Sequence, residues 1–163
     1  MSVQIVVYSW TGNSAACAVA LQEAMGIEAF LLEEEQDRQG QIGFAKGGFS
    51  ASINGKTAIK AMPELSADTL VLGMPVWAGT TPPAINTFFE KCGLEGKKVY
   101  CFATQMGDSV PKKLEKKLKK LVAAKGGTFV HLFVTQVPKG RQLTVEGARK
   151  RAARWAERVQ SGE

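Results

Sequence analysis

Four short apolar runs, each rich in β-branched residues and each leading through a polar turn into a helical stretch, constrain this chain most. They are Val3–Tyr8 (VQIVVY), 69–73 (TLVLG), 98–103 (KVYCFA) and 128–134 (TFVHLFV). A weaker run, 28–32 (EAFLL), lies between the first two. Runs that stay apolar throughout, rather than alternating, suit strands buried on both faces. The segments between them have helical character. Residues 14–25 are rich in Ala and Leu, with Asn13 or Ser14 as the N-cap and Gly26 as the stop. Residues 81–92 open with Pro82 and Pro83, which suit a first helical turn. Residues 111–125 carry the stripe Leu114, Leu118, Leu121 and Val122, with lysines flanking it. Val145, Ala148, Ala152, Trp155 and Val159 recur at helical spacing, with arginines on the other face. Strands alternating with helices predict an α/β protein whose parallel sheet is covered on both faces. Right-handed crossovers make that sheet doubly wound.

Residues 33–62 break the rhythm. They hold an acidic cluster (Glu33, Glu34, Glu35, Asp37), glycines at 40, 43, 47, 48 and 55, and scattered apolar residues. This reads as an irregular connection, with room for a short helix or hairpin, in place of a second crossover helix. No linker, repeat or low-complexity tract divides the chain, so residues 1–163 are read as one domain.

Composition excludes several classes. A chain of 163 residues with 45% hydrophobic and 22% charged residues can bury a large core without disulfides or metal. Cys17, Cys92 and Cys101 form no CxxC pair, and an odd, widely spaced set suits reduced thiols. The start lacks the basic stretch of a signal peptide, and no apolar run approaches the ~20 residues of a membrane span. A cytoplasmic protein is the expectation. Charge is uneven: residues 1–90 hold 4 Lys/Arg against 9 Asp/Glu, and residues 91–163 hold 17 against 6. The basic half is either a set of solvated helix faces or a surface for an acidic partner. Nucleic acid is a poor fit, because no aromatic residue interleaves the lysines of 112–125.

In an open α/β sheet, ligands bind beyond the carboxyl ends of the strands. The loops after the first, third and fourth strong runs are therefore the places to look. The first is Ser9-Trp10-Thr11-Gly12-Asn13-Ser14. Its hydroxyls and amide crowd a turn that opens a helix, where free N–H groups and the dipole favour a phosphate. The same residues also serve as simple helix caps. The second is Met74-Pro75-Val76-Trp77-Ala78-Gly79-Thr80-Thr81, where Trp77 either faces a planar ring or covers the end of the sheet. The third, Thr104-Gln105-Met106-Gly107-Asp108-Ser109, offers donors, a glycine and a polarizable methionine.

Other motifs fail. Gly55-Lys56-Thr57 mimics the end of a P-loop, but position 50 is Ser where that motif needs Gly. No GxGxxG occurs. His131, the one histidine, lies within a strand run, which disfavours a His-dependent triad. Cys17 has no phosphatase-like arginine spacing and reads as a packed helix residue. Ser9-Trp10 and Met74-Pro75 stand where a phospho-acceptor receiver would need acids.

Together the three loops resemble those of the flavodoxin-like FMN-binding family. Ser9-Trp10-Thr11-Gly12-Asn13-Ser14 follows that family's S/T-x-T-G-N-T/S phosphate loop. Leu72-Gly73-Met74-Pro75-Val76-Trp77-Ala78-Gly79-Thr80, followed by Pro82-Pro83, is similar to the LGxPVWAGxxPP segment of one branch. The resemblance implies a three-layer sandwich with a five-stranded sheet in order 2-1-3-4-5. It implies FMN as the cofactor and no metal. Ser9, Thr11, Gly12, Asn13 and Ser14 would hold its phosphate, and Trp10 would lean on the ribityl chain or face solvent. Pro75, Val76, Trp77, Ala78 and Gly79 would line the isoalloxazine ring, with Trp77 stacking and the Ala78-Gly79 peptide near N5. Thr104, Gln105, Met106, Gly107 and Asp108 would hold the pyrimidine edge.

Two departures from the family stand out. The third loop lacks the aromatic residue of many electron carriers, and the chain is basic where such carriers are acidic. A positive field from Lys112, Lys113 and Lys116 would favour the anionic, fully reduced ring. The resemblance implies electron transfer through FMN with no catalytic side chain, and an acidic redox partner meeting Lys112, Lys113, Lys116 and Lys117. The alternatives are an NAD(P)H-dependent quinone or flavin reductase, and an interaction module without flavin.

Overall fold

The structure, a computed structural model, describes residues 1–36 and 55–163. Its elements in chain order are β1 (Val3–Tyr8), α1 (Asn13–Met25), β2 (Ala29–Leu32), β3 (Thr69–Pro75), α2 (Pro83–Lys91), β4 (Lys98–Gln105), α3 (Lys112–Ala124), β5 (Thr128–Gln136) and α4 (Val145–Ser161). The strands pair in parallel in the order β2-β1-β3-β4-β5, as expected.

Neighbouring residues on a strand point to opposite faces, so each apolar run feeds two cores. On one face Val6, Tyr8, Leu72 and Met74 pack with Ile85 and Phe88 of α2 and Leu114, Leu118 and Val122 of α3. On the other face Ile5, Val7, Val71 and Phe102 pack with Cys17 and Leu21 of α1 and Ala148, Ala152, Trp155 and Val159 of α4. Burying both faces explains why the runs are apolar throughout. At Gly73 the sheet needs a missing side chain: a Cβ there would lie 2.0 Å from Cζ of Phe102.

The strands run further than the sequence suggests. β3 and β4 stay in register through Met74↔Ala103 and Pro75↔Thr104. The sequence reading opens a loop at Met74-Pro75, but pairing with β1 ends at Gly73 while pairing with β4 continues, so the N–H that Pro75 lacks is not needed by the β1 ladder. Val76 N–H then donates to the Thr104 carbonyl at 2.9 Å. The cap of α1 is also different. Gly12, at φ 98°, precedes the helix, so Asn13 and Ser14 are its first residues.

Residues 33–35 and 58–60 meet as a short antiparallel contact. Glu35 N–H donates to Ala58 O at 2.9 Å, and Lys60 N–H to Glu33 O at 2.8 Å. The helix or hairpin expected between them falls largely on residues 37–54, outside the described residues. Among the described residues, no helix is long and apolar enough to cross a membrane.

Candidate functional site

A cavity of about 360 Å³ opens at the carboxyl end of the sheet, within the range of small-molecule sites. The first loop forms one side of it. Ser9 Oγ accepts the Ala15 N–H at 3.1 Å, which caps the first turn of α1. Ser14 Oγ meets Thr104 Oγ1 at 2.7 Å, and both side chains are buried. Asn13 Oδ1 accepts the Leu143 N–H at 2.8 Å, while its Nδ2 donates to Thr11 Oγ1 at 3.2 Å. Four of the loop's polar side chains, Ser9, Thr11, Asn13 and Ser14, thus help to hold its shape, Ser9 and Thr11 as acceptors whose own O–H groups can still donate. The backbone N–H groups of Thr11, Gly12, Asn13 and Ser14 have no acceptor among the described residues. The left-handed Gly12 aims the chain into α1 and needs no side chain to do so. The result is a cradle of free donors at a helix N-terminus, suited to an anion.

The second loop supplies an apolar wall of Pro75, Val76, Trp77 and Ala78. Trp77 and Thr80 exchange backbone hydrogen bonds (Trp77 N–H to Thr80 O, 3.1 Å; Thr80 N–H to Trp77 O, 2.9 Å). Ala78 and Gly79 therefore sit at the tip of a tight turn with φ 50° and 73°. That turn folds the Trp77 ring inward, where it is 5% exposed and meets Tyr8 and Trp10 edge-on at 5.8 and 5.7 Å. The ring expected to stack on a cofactor is thus largely a core residue covering the end of the sheet. Trp10, half-buried in the same wall, is the more accessible indole.

The third loop contributes Thr104, Gln105 and Met106. Gln105 Nε2 donates to Gly107 O at 3.0 Å and to Ser109 O at 2.6 Å, closing the loop on itself. Met106 is 66% exposed at the rim. Gly12, Gly79, Gly107 and Asp108, expected at the site, lie near it in sequence but do not line the cavity.

Sequence reading missed a fourth segment, Val137, Gly140, Arg141 and Gln142, between β5 and α4. Gln142 Nε2 donates to Thr11 O at 2.9 Å, and Leu143 is held by Asn13. Nothing in its residue types marks it as part of a site; only the pairing of β5 beside β4 brings it there. Arg141 is the one charged residue among those lining the cavity. Lys112, Lys113 and Lys116, expected to supply the positive field, are exposed on α3 and do not line it. Lys117 departs from the expected docking face. It is half-buried and donates to Asn86 Oδ1 at 3.0 Å, and burial lowers its pKa.

The other ionisable candidates are occupied elsewhere. Burial pushes the Cys17 and Cys92 thiols up to about 11, and Cys101 is pushed up too, so none is an activated nucleophile. His131 packs on β5 with Nε2 3.1 Å from Arg158 Nη1, and burial and that guanidinium lower its pKa. Chemically, the cavity suits a ligand with a phosphate at one end and a flat apolar body.

The family model for flavodoxin matches residues 46–136. No curated protein matches the sequence significantly. Among solved structures, a provisionally named flavoprotein from Bacteroides eggerthii is 22% identical, with 98% of each chain covered and a TM-score of 0.73. A flavoprotein from Lactobacillus acidophilus in complex with FMN is 17% identical, with 82% of this chain and 92% of that one covered and a TM-score of 0.64. Fusobacterium nucleatum flavodoxin bound to flavin mononucleotide is 15% identical, with 99% of each chain covered and a TM-score of 0.60. At these identities the likeness to solved structures is one of fold.

Proposed function

The chain belongs to the flavodoxin family, and from that premise we propose that it holds FMN in this cavity and passes electrons through it. One observation carries the reading. Backbone N–H groups without acceptors, on Thr11, Gly12, Asn13 and Ser14, lie in the loop along one side of a cavity whose second-loop wall, Pro75 to Ala78, is apolar. That donor set fits a phosphate without any Lys or Arg in the loop itself. FMN, when bound, supplies one- and two-electron redox chemistry.

The chain's part is to bind, orient and shield. The hydroxyls of Ser9 and Thr11 add donors to the cradle. Val76, Trp77 and Ala78 would wall the ring, and the Ala78 carbonyl would be the acceptor for the N5–H of the reduced ring. Trp10 and Met106 provide the more accessible apolar surface. Among the described residues no acid or base lines the cavity apart from Arg141, which supports electron transfer over proton-abstraction chemistry. The redox partner is an acidic protein. Met106 and Val110, 66% and 62% exposed, form its apolar landing site, with Lys112, Lys113 and Lys116 beside them. The cytoplasm is the compartment that suits three unpaired thiols.

A second reading, an NAD(P)H-dependent reductase of a quinone or flavin, is favoured by one feature. No aromatic side chain of the third loop covers the cavity, which leaves room for a second substrate. Stepwise dithionite reduction of the FMN-loaded protein separates the two. Two resolved one-electron stages support the carrier. A single two-electron bleaching, reproduced by NADH or NADPH, supports the reductase. Failure to retain FMN leaves a flavin-free interaction module.

A further inference from the structure

We infer that Arg141 recognises the phosphate of the bound ligand and so makes this chain discriminate between FMN and riboflavin, an inference that rests on the flavoprotein reading. Arg141 is the one charged residue among those lining the cavity. It closes a tight turn in which its N–H donates to the Pro138 carbonyl at 3.1 Å, with Gly140 in the left-handed conformation at φ 73°. The two residues that follow clamp this turn onto the phosphate loop. Gln142 Nε2 reaches Thr11 O at 2.9 Å, and the Leu143 N–H reaches Asn13 Oδ1 at 2.8 Å.

Thr11 and Asn13 are two of the four residues whose N–H groups lack acceptors. The clamp thus holds the turn that carries Arg141 beside the phosphate loop, across 130 residues of chain, and Arg141 lines the same cavity. Among the described residues no carboxylate lies within ion-pair distance of Arg141. Its charge is therefore not neutralised within the described protein.

The cradle itself supplies neutral donors. A phosphate monoester carries roughly −1.5 to −2 at pH 7. A single guanidinium beside it makes charge-assisted hydrogen bonds that a neutral donor cannot match. Riboflavin, which has the same ring and ribityl chain but no phosphate, gains nothing from that charge. The preference for FMN therefore resides in Arg141 together with the backbone donors, and its charge-dependent part weakens as salt rises.

The test is a flavin-fluorescence titration of the full chain and of its R141A and R141K variants, with FMN and with riboflavin, at low and high salt. Arg141 is exposed, so both variants keep the fold. R141A is expected to weaken FMN roughly 10- to 100-fold and to leave riboflavin unchanged, with R141K between. The loss should shrink at high salt. An R141A variant that binds FMN as tightly as the wild type, or that loses FMN and riboflavin equally, overturns the assignment while the flavoprotein reading stands. Wild-type protein that binds neither flavin overturns that reading, and this inference with it.

Discussion

The Oδ1 of Asn13 accepts the backbone N–H of Leu143 at 2.8 Å, so the first turn of α1 holds the loop that leads into α4. The two residues come from opposite ends of the chain, and their bond closes one side of the cavity. Asn13→Ala leaves the partly buried Leu143 amide without a partner. The expected cost is about 1 kcal/mol, with faster hydrogen exchange at Leu143 and weaker FMN binding. Exchange measured by NMR checks this; an unchanged Leu143 amide would show that the loop is held by other contacts.

Gly73→Ala should be among the most damaging single-atom additions. The new methyl would meet Phe102 Cζ at 2.0 Å in the centre of the sheet, where neither strand can yield. Overpacking of this kind costs about 1–3 kcal/mol. A urea midpoint equal to that of the wild type would mean that the Phe102 ring moves aside freely.

Ala78→Gly should act in the opposite direction. A non-glycine residue at φ 50° carries left-handed strain of about 1–2 kcal/mol. Glycine relieves it but loses about 0.5–1 kcal/mol of unfolded-state entropy. The net gain is at most about 1.5 kcal/mol, readable as a higher urea midpoint. A lower midpoint would place the strain elsewhere in the turn.

Alkaline pH should weaken the fold through its thiols. Burial pushes Cys17 and Cys92 up to about 11, whereas an unfolded thiol titrates near ~8.5. Between these values the folded chain keeps protons that the unfolded chain loses, so stability falls as pH rises. The contribution is full below about pH 8.5 and is lost progressively as pH climbs toward about 11. Urea midpoints across this window should decline, and less steeply in a Cys17→Ala/Cys92→Ala variant. An equal slope in wild type and variant would assign the effect to other groups.

The parts of this molecule visible in sequence are those written in contiguous residues. The strand runs, the helix stripes and the Ser9–Ser14 turn each carry their own signal, and strand order followed from the family that the first two loops resemble. What could not be read depends on pairing across the sheet. Ser14 finds Thr104 90 residues away. The extension of β3 through Pro75 exists because β4 continues beside it. Arg141 reaches the cavity because β5 lies next to β4 and α4 next to α1, which no local pattern announces. Trp77 shows the converse. Its sequence context matched a ring-stacking residue, but the Ala78-Gly79 turn folds the indole into the core.

The proposed function stands on the donors of Thr11 to Ser14 holding a flavin phosphate. The most direct test is to incubate the purified chain with excess FMN, remove free flavin by gel filtration and record the visible spectrum. Flavin bands at one FMN per chain are expected, with riboflavin retained poorly under the same conditions. Protein that emerges colourless would contradict the proposed function and reduce the Ser9–Ser14 turn to a helix cap.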